Sequence, residues 1–447
     1  MLQNQVEDAF IIEGGRPLKG NVRLSGAKNV ALKTIIAALL FDGKVHLHNI
    51  PRIGDVFELL NLIKMLGAQA DFVGDTNEVV IDSMNLKEHR LDFLFASKIR
   101  VSFMLFAPLL YRFGRALIPN PGGCRIGARP INRIIEGMKD IGIPVEYNSS
   151  TGYYQAIMKQ KPTGTYIFDK PSHTGTELMI LLSVFCQSDI IIKNCALEPE
   201  IDDLIAFLNG GGAHIRRDGL DMVVSPCPYL FRETPYTIVC DRNEAITFAS
   251  AALMTKGDVT VSSIPQSYIR TFVKTLEECN GGVEEKEGGI WRFYYKGNLK
   301  NSHIITYAHP GFMTDWQPNW AVLMTQAEGE STIHERVFEN RFAYVDELVK
   351  VGAKIEFYQP EVDNPETFYG FNYDKTKNYT QAIKVHGPQI LHNGVMTVAD
   401  LRAGATLALA ALSADGESVI NGVSILERGY EHFVEKITQL GGNIRKI

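Results

Sequence analysis

Apolar and polar positions follow a pattern that returns along the chain at a spacing of roughly 70 residues. In the first copy, the polar stretch 25–29 precedes an apolar run over residues 30–40, which Asp42-Gly43 ends. Residues 44–48 then alternate between polar and apolar, and a second amphipathic segment ends at Leu66-Gly67. An apolar run that stops at glycine predicts a helix, and period-two alternation predicts a strand.

The same order of signals recurs five more times. The copies begin near Ser97, Thr174, Asp241, Thr314 and Asp400, and they close at Gly142, Gly212, Gly281, Gly352 and Gly441. One such unit cannot bury both of its helices, so the six copies are expected to pack together in an α/β or α+β fold. Three copies make a domain of about 200 residues, which predicts two domains. On periodicity alone, a repeat scaffold without chemistry is as good an interpretation as an enzyme.

Composition narrows the class of protein. The 447 residues are 45% hydrophobic and 21% charged, as in an ordinary globular protein. A formal net charge of -6 gives no general attraction to nucleic acid or to an anionic membrane. Apolar runs stay below the roughly eighteen residues of a membrane span, and residues 1–13 lack the pattern of a signal peptide. We therefore predict a cytoplasmic protein without membrane insertion; its oligomeric state is left open.

The cysteines predict reduced thiols, because they are widely scattered at Cys124, Cys186, Cys195, Cys227, Cys240 and Cys279. Neither a Cys-x-x-Cys pair nor a His-x-x-x-His spacing occurs, so no metal site is expected. Cys124 lies in a Gly- and Pro-rich loop beside Arg125. Nearby positive charge lowers the pKa of an exposed thiol, which makes Cys124 a candidate reactive residue. The other five are predicted to fill the core.

Three predicted helix starts carry cations, which the helix dipole disfavours. Lys28, Arg100 and Arg402 begin copies one, two and six, whereas Asp241 and Asp315 begin copies four and five. A cation there costs from a few tenths to about 1 kcal/mol unless an anion binds at the same place. The three positions therefore predict anionic ligands.

Loop residues add to this set. Arg129, Arg341 and Arg428 stand between predicted elements, where each is either a surface arginine or a ligand of carboxylate or phosphate. Asp315 also has two interpretations: an ordinary helix N-cap, or a general base presented by the turn before it.

Several stretches carry a resemblance to a known family: 121–130 (Pro-Gly-Gly-Cys-Arg-Ile-Gly-Ala-Arg-Pro), 198–201, 314–315, 338–342 and 400–403. Over essentially its full length, the chain resembles the enolpyruvyl transferases, and among them the UDP-N-acetylglucosamine 1-carboxyvinyltransferases. The resemblance implies a two-domain inside-out α/β barrel with three repeated units in each domain. It places residues 28–239 in one domain and residues 1–27 and 240–447 in the other.

The reaction that the resemblance implies is the transfer of the enolpyruvyl group of phosphoenolpyruvate to the 3-hydroxyl of UDP-N-acetylglucosamine, with release of phosphate. It proceeds by addition and elimination through a tetrahedral intermediate, needs no cofactor, opens peptidoglycan synthesis and is the target of fosfomycin. Cys124 would protonate the methylene carbon, and Asp315 would take the hydroxyl proton. The phosphate would be held by Lys28, Arg129 and Arg428, with Asn29 close by, and the carboxylate side by Arg341 and Arg402.

The residues that would face the UDP-sugar are Arg100, Arg129, Pro130, Ile131, Asn132, Arg133, Lys170, Ser172, Thr174, Gly175 and Val337. Asn132 departs from the family pattern, which usually has Asp there, and residues 241–246 lack the usual Glu-Thr-Gly after Asp-Arg-Ile. Two alternatives follow: a transferase acting on shikimate phosphate or another uridine nucleotide, and a nucleotide-sugar-binding paralogue without turnover. Cys124 argues against a shikimate-phosphate enzyme, and the presence of Cys124, Asp315 and Lys28 argues against the paralogue.

Overall fold

The structure is a computed structural model that describes residues 8–122 and 131–447. The described chain divides into two compact units. The N-terminal unit contains residues 26–122 and 131–239, and the C-terminal unit contains residues 8–25 and 240–447.

The strands lie, in chain order, at β1 Ala9–Glu13, β2 Lys19–Val22, β3 Lys44–His48, β4 Gln69–Phe72, β5 Val79–Asp82, β6 Arg115–Pro119, β7 Val145–Asn148, β8 Tyr153–Ile157, β9 Gly164–Ile167, β10 Ile190–Lys193, β11 His214–Asp218, β12 Asp221–Ser225, β13 Tyr236–Thr237, β14 Asp258–Val261, β15 Gly282–Lys286, β16 Ile290–Tyr294, β17 Leu299–Lys300, β18 His303–Ile305, β19 Ala327–His334, β20 Lys354–Tyr358, β21 Ala382–Gly387, β22 Val395–Thr397, β23 Glu417–Asn421 and β24 Asn443–Lys446.

The α-helices lie at α1 Lys28–Ala38, α2 Gly54–Met65, α3 Phe93–Lys98, α4 Phe106–Phe113, α5 Asn132–Asp140, α6 His173–Ser183, α7 Pro199–Asn209, α8 Arg242–Met254, α9 Gln266–Glu278, α10 Gln317–Met324, α11 Val345–Lys350, α12 Pro365–Phe368, α13 Leu401–Ser413, α14 Ser424–Glu427 and α15 Phe433–Gln439. Short 3-10 helices occupy Arg100–Leu105 and Glu287–Gly289.

The described strands form six sheets, three in each unit, and the sheets share one plan. In the third copy, β10 pairs antiparallel with β12, β12 pairs antiparallel with β11, and β9 lies parallel to β10. The same order recurs in the sheets built on β3, β14, β19 and β23. In the second copy, a single parallel bridge between Arg90 and Leu117 takes the place of the parallel strand. This common plan confirms the six repeated units and the mixed α/β class.

The N-terminal segment completes two sheets of the C-terminal unit. β1 pairs with β23 and β24 of the sixth copy, and β2 lies parallel to β14 of the fourth. In the N-terminal unit, β13 at the end of the third copy lies parallel to β3 of the first. Each unit therefore links its last copy back to its first.

The first helix of each copy lies inside its unit. In the C-terminal unit, α8, α10 and α13 pack on one another, and nearly every residue of all three is buried. Helices that are apolar all round are expected to be buried in this way. The second helices bury one face only: in α9, the buried residues Ile269, Phe272, Val273 and Leu276 follow helical spacing.

Two further predictions can be compared with the structure. Cys186, Cys195, Cys227 and Cys279 are buried core residues, as predicted, whereas Cys240 is only half-buried. Burial raises the pKa of Cys195 to about 12, so this thiol is inert at neutral pH. Within residues 8–122 and 131–447, no helix combines the length and the apolar character needed to cross a bilayer.

Candidate active site

Asp315 lies in the turn before α10, and its carboxylate is directed to arginines. Oδ1 is 2.9 Å from Nη2 of Arg341, and Oδ2 is 3.3 Å from both Nε and Nη2 of Arg402. Trp316, not Asp315, holds the N-cap position of α10, where no side-chain hydrogen bond caps the helix. The N-cap interpretation of Asp315 is therefore wrong, because its carboxylate bridges two guanidinium groups.

Arg341 is a buried residue, not a surface arginine. Its side chain is 2% exposed, and Nη1 lies 3.2 Å from Oδ1 of Asp400 while Nη2 reaches Asp315. Asp400 also caps α13, because its Oδ1 accepts the backbone N–H groups of Arg402 and Ala403 at 2.9 and 3.1 Å. Arg341 thus ties an acid of the fifth copy to an acid of the sixth.

Arg402 occupies the first turn of α13, as the sequence predicts, and its side chain is 6% exposed. Within the described residues, its Nη1 is buried without a hydrogen-bond partner. A buried donor of this kind costs free energy until it is paired. Arg402 therefore has a donor to offer an anionic ligand.

Electrostatics around Asp315 are dominated by cations. Burial alone raises the pKa of its carboxyl, but the charges of Arg402, Arg341 and Arg242 outweigh burial and lower that pKa to about 2. Asp315 is consequently ionised at neutral pH and acts as the counter-ion of the arginines.

Arg242 is a functional candidate that the sequence argument missed. It is the first residue of α8 and is 2% exposed. Its Nη1 lies 3.2 Å from Nδ1 of His309, and its guanidinium carbon lies 5.9 Å from the ring centre of Trp316. The signal was available, because Arg242 is a fourth cation at a helix start, masked by the acidic Asp241 that caps the same helix.

Tyr430 was missed as well. Its hydroxyl is 2.8 Å from Oγ1 of Thr247, and the guanidinium carbon of Arg402 lies 5.4 Å from its ring centre. The predicted ligand Arg428, two residues earlier, directly follows α14 and is half-buried. In the sequence, the one indication for Tyr430 is its position directly after Arg428-Gly429.

Glu335 connects, by hydrogen bonds, the turn that carries Val337 to Thr314, the residue before Asp315. It is fully buried, and its Oε1 accepts the backbone N–H groups of Val337 and Phe338 at 2.7 and 3.1 Å. Its Oε2 accepts the hydroxyl of Thr314 at 2.9 Å. Burial raises the pKa of Glu335 despite these hydrogen bonds. The half-buried Val337 is thereby fixed on a turn anchored beside Asp315.

In the N-terminal unit, the predicted phosphate ligand Lys28 is paired with a carboxylate. Lys28 is the first residue of α1, and its Nζ lies 2.7 Å from Oδ2 of Asp55 in the first turn of α2. The next residue, Asn29, is half-buried. Asp55 was not among the predicted site residues. In this structure its carboxylate pairs with Lys28, whose charge the sequence predicts an anionic ligand to balance.

Most of the residues predicted to face the UDP-sugar that the structure describes lie in two segments of the N-terminal unit, at the start of α5 and over 170–175. Arg133, at the start of α5, places Nε 2.6 Å from Oδ1 of Asp169, which directly precedes Lys170. Ile131, just before Arg133, is buried, and Asn132 is exposed. The ion pair therefore brings the start of α5 next to the segment 170–175.

The segment 170–175 leads into α6. Ser172 is the N-cap, and its hydroxyl oxygen accepts the N–H of Gly175 at 3.2 Å. Lys170 and Thr174 are half-buried. Arg100 belongs to the same unit, and its Nη1 lies 3.4 Å from the carbonyl oxygen of Pro121.

Three predicted site residues, Cys124, Arg129 and Pro130, lie outside the described residues, and their roles stay predictions. In the part of the chain that the structure describes, no group of three or more His, Cys, Asp or Glu side chains could hold a metal ion.

Solved structures identify the fold. The enolpyruvyl transferase NikO from Streptomyces tendae superposes with a TM-score of 0.84 at 22% identity, covering 98% of this chain and 99% of that one. EPSP synthase from Acinetobacter baumannii gives a TM-score of 0.72 at 17% identity, covering 98% of this chain and 100% of the other. The chain has the two-domain inside-out α/β fold of the enolpyruvyl transferases.

Sequence comparison then gives the family. The family model of EPSP synthase (3-phosphoshikimate 1-carboxyvinyltransferase) matches residues 12–437. The UDP-N-acetylglucosamine 1-carboxyvinyltransferase of Koribacter versatilis is 35% identical over 98% of this chain and 96% of its own length. That of Halothermothrix orenii is 37% identical over 98% of this chain and 99% of its own length. The chain belongs to the enolpyruvyl transferase family and is a transferase.

Proposed function

We propose that this transferase moves the enolpyruvyl group of phosphoenolpyruvate to the 3-hydroxyl of UDP-N-acetylglucosamine and releases phosphate, in the cytoplasm and as a step of peptidoglycan synthesis. Relatives with that acceptor in their names, at 35% and 37% identity over nearly the whole chain, support the proposal. The observation that carries it is the carboxylate of Asp315 held between Arg341 and Arg402. Adding an alcohol to an anionic enol phosphate needs a base at oxygen and cations around the developing charge.

The reaction balances in two steps. In the addition, the 3-hydroxyl oxygen bonds to C2 of phosphoenolpyruvate, C3 gains a proton and the hydroxyl proton goes to a base. In the elimination, C3 loses a proton and the C2–phosphate bond breaks, which leaves the enolpyruvyl ether and one phosphate. We assign the proton on C3 to Cys124 and the base to Asp315, following the family resemblance.

Asp315 needs its environment to change before it can act as a base. A carboxylate with a pKa of about 2 accepts a proton poorly at neutral pH. When an anionic substrate binds Arg402, that arginine is drawn away from Asp315 and lowers its pKa less. Substrate binding therefore raises the pKa of Asp315 and makes its carboxylate a better base.

The present contacts of each cation indicate whether it would bind the substrate carboxylate, bind the phosphate or position Asp315. Arg341 has one Nη on Asp315 and the other on Asp400, so we propose that it positions Asp315. Arg402, whose Nη1 has no hydrogen-bond partner among the residues that the structure describes, is assigned to the substrate carboxylate. The phosphate is assigned to Lys28, which would exchange Asp55 for it, together with Arg129 and Arg428.

A phosphate-release assay tests the function. We expect the purified protein to release phosphate from phosphoenolpyruvate only when UDP-N-acetylglucosamine is added. Parallel reactions contain UDP-glucose, UMP or shikimate 3-phosphate as acceptor. Release with one of these but not with UDP-N-acetylglucosamine would reject the proposed acceptor, and binding of both substrates without release would identify a paralogue without turnover.

Fosfomycin tests the thiol. We expect the drug to alkylate Cys124 and stop turnover, and Cys124→Asp to keep activity but resist the drug. Cys240→Ser is the matched control, because Cys240 is the half-buried cysteine of the described residues, and this variant should stay sensitive. Mass spectrometry that finds the label on another cysteine would reject the assignment.

A further inference from the structure

A buried hydrogen bond joins the turn that carries Asp315 to the start of α8. Nε1 of Trp316, the residue directly after Asp315, donates to Oδ1 of Asn243 at 3.0 Å. Trp316 is 1% exposed and Asn243 is 5% exposed, so water does not compete for this bond. Neither residue was among the predicted site residues. The contact lies one residue away from the proposed base.

A buried indole N–H needs an acceptor, but this need does not decide which element supplies it. In the same unit, Nε1 of Trp320 donates to Oγ of Ser302 at 2.9 Å. For Trp316 the acceptor is Asn243, in the first turn of α8, directly after Arg242. The charge of Arg242 is one of those that lower the pKa of Asp315. The bond of Trp316 therefore links the turn of the base to the helix start of a cation that acts on it.

The indole ring of Trp316 cannot shift without moving its neighbours. The rings of Phe272 and Phe312 contact it edge to face, with ring centres 6.0 and 5.6 Å away. The backbone N–H of Trp316 donates to the carbonyl oxygen of Met313 at 3.0 Å, which closes the turn around Asp315. Because ring and backbone are both held, the position of the indole determines the position of the Asp315 backbone.

The turn is held on both sides of Asp315 by different elements. Before Asp315, the hydroxyl of Thr314 donates to Oε2 of Glu335 at 2.9 Å, and after it the indole of Trp316 donates to Asn243. A catalytic group works only when neighbouring contacts hold it within about 0.5 Å of its productive position. The two hydrogen bonds supply such contacts from both directions.

We propose that Asn243 is a positioning residue of the reaction: by accepting the indole N–H of Trp316, it fixes Asp315 relative to Arg242. The inference rests on the proposed function, because it assumes that Asp315 takes the proton of the acceptor hydroxyl. Asn243 acts through Trp316 and is therefore not a catalytic residue.

Steady-state kinetics of Asn243→Leu test the proposal. This change removes the acceptor and keeps a similar volume. We expect kcat to fall about tenfold, since displacing a catalytic group by about 1 Å can cost up to about 100-fold. The KM for each substrate should stay within about twofold, because the groups that bind them are unchanged.

Ser302→Ala is the matched control, because it removes the acceptor of Trp320, another buried indole of the C-terminal unit. Both variants leave an indole N–H without its acceptor, so both should lower the Tm. We expect only Asn243→Leu to lose kcat. An equal loss of kcat in the two variants would mean that Asn243 serves packing alone, and would overturn the inference.

A double-mutant cycle shows whether Asn243 acts through the indole. Trp316→Phe removes the donor and keeps an aromatic ring, and we expect its kcat to fall about tenfold as well. Adding Asn243→Leu to Trp316→Phe should lower kcat by no more than about a further twofold, because the bond is already lost. Losses that multiply would overturn the inference. A wild-type kcat in Trp316→Phe would overturn it too, and decides the question if Asn243→Leu does not fold.

The failure of this inference can be told from the failure of the proposed function. A wild-type kcat in Asp315→Asn would reject the proposed base, and with it this role of Asn243. A large loss of kcat in Asp315→Asn together with a wild-type kcat in Asn243→Leu would overturn this inference alone.

Discussion

Two clusters of charged residues, one in each unit, use similar groups in opposite ways. The Asp315 cluster (Asp315, Asp400, Arg242, Arg341 and Arg402) surrounds a carboxylate that is 27% exposed with three guanidinium groups. In the N-terminal unit, the Glu177 cluster (Lys33, His173 and Glu177) contains a fully buried carboxylate whose Oε2 lies 3.2 Å from Nζ of Lys33 and whose Oε1 lies 3.2 Å from Nε2 of His173. Within the described residues, Arg341 and Arg402 hydrogen-bond to the acids of the first cluster, and one donor of Arg402, Nη1, has no partner. In the second cluster, Nε2 of His173 and both carboxylate oxygens of Glu177 are buried at ion-pair distance without a hydrogen bond to any described residue. A cation with a donor left over suits exchange with a substrate, whereas a fully buried ion pair depends on keeping its counter-charge.

The largest effect is expected from removing the base. Asp315→Asn should lower kcat about 10²- to 10⁴-fold, because a positioned general base contributes that much, while phosphoenolpyruvate should still bind to the remaining arginines. Stopped-flow phosphate release and calorimetric titration measure the two quantities.

Asp258→Asn is the matched control for that variant. Asp258 also pairs with an arginine of the C-terminal unit, Arg292 at 2.7 Å, but both side chains are about one-third exposed. Its kcat should equal that of the wild type. A kcat for Asp315→Asn within threefold of wild type would remove Asp315 from the chemistry.

The next largest effect concerns the contribution of the Glu177 cluster to stability. Glu177→Leu should lower the free energy of unfolding by about 3–5 kcal/mol, because Lys33 is left buried without a counter-charge. The double variant Lys33→Met with Glu177→Met should lie within about 1 kcal/mol of wild type. Urea denaturation measures both. Equal losses in the single and double variants would mean that the charge pairing is not what Glu177 contributes.

A smaller effect should appear in the pH dependence of stability. The pKa of Asp315 is lowered from 3.8 to about 2 on folding, so the ionised carboxylate stabilises the fold above pH 4. This stabilisation, about 2 kcal/mol, is lost as the pH falls from about 4 through 2. The difference in unfolding free energy between wild type and Asp315→Asn should therefore shrink over that range. A difference that stays constant from pH 5 to pH 2 would contradict the lowered pKa.

The smallest effect is expected for Tyr430→Phe. This change removes the hydroxyl that lies 2.8 Å from Oγ1 of Thr247 and also interacts with Arg402, and it leaves the ring in place. The hydrogen bond to Thr247 contributes about 1 kcal/mol, so the free energy of unfolding should fall by about that amount, with kcat changed only a few-fold. A loss of activity as large as that of Asp315→Asn would instead give Tyr430 a direct part in the chemistry.

The fold could be predicted because each copy repeats the same local signals, and glycines after apolar runs mark the helix ends. Lys28 and Arg402 at helix starts were predicted for the same reason. The burial of Arg341 and its pairing with Asp400 depend on how copies five and six pack, which local periodicity does not encode. The third copy did contain a visible signal, since Glu177 stands inside an otherwise apolar helix, where a charge indicates a buried partner.

The most direct test is whether substrate binding raises the pKa of Asp315 above the value of about 2 that it has in this structure. Calorimetric titration of phosphoenolpyruvate at about pH 4.5, repeated in buffers of different ionisation enthalpy, reports the protons taken up on binding. We predict that wild type takes up more protons than Asp315→Asn, because Arg402 turns from Asp315 to the substrate. Equal proton uptake by the two proteins would contradict this role of Arg402.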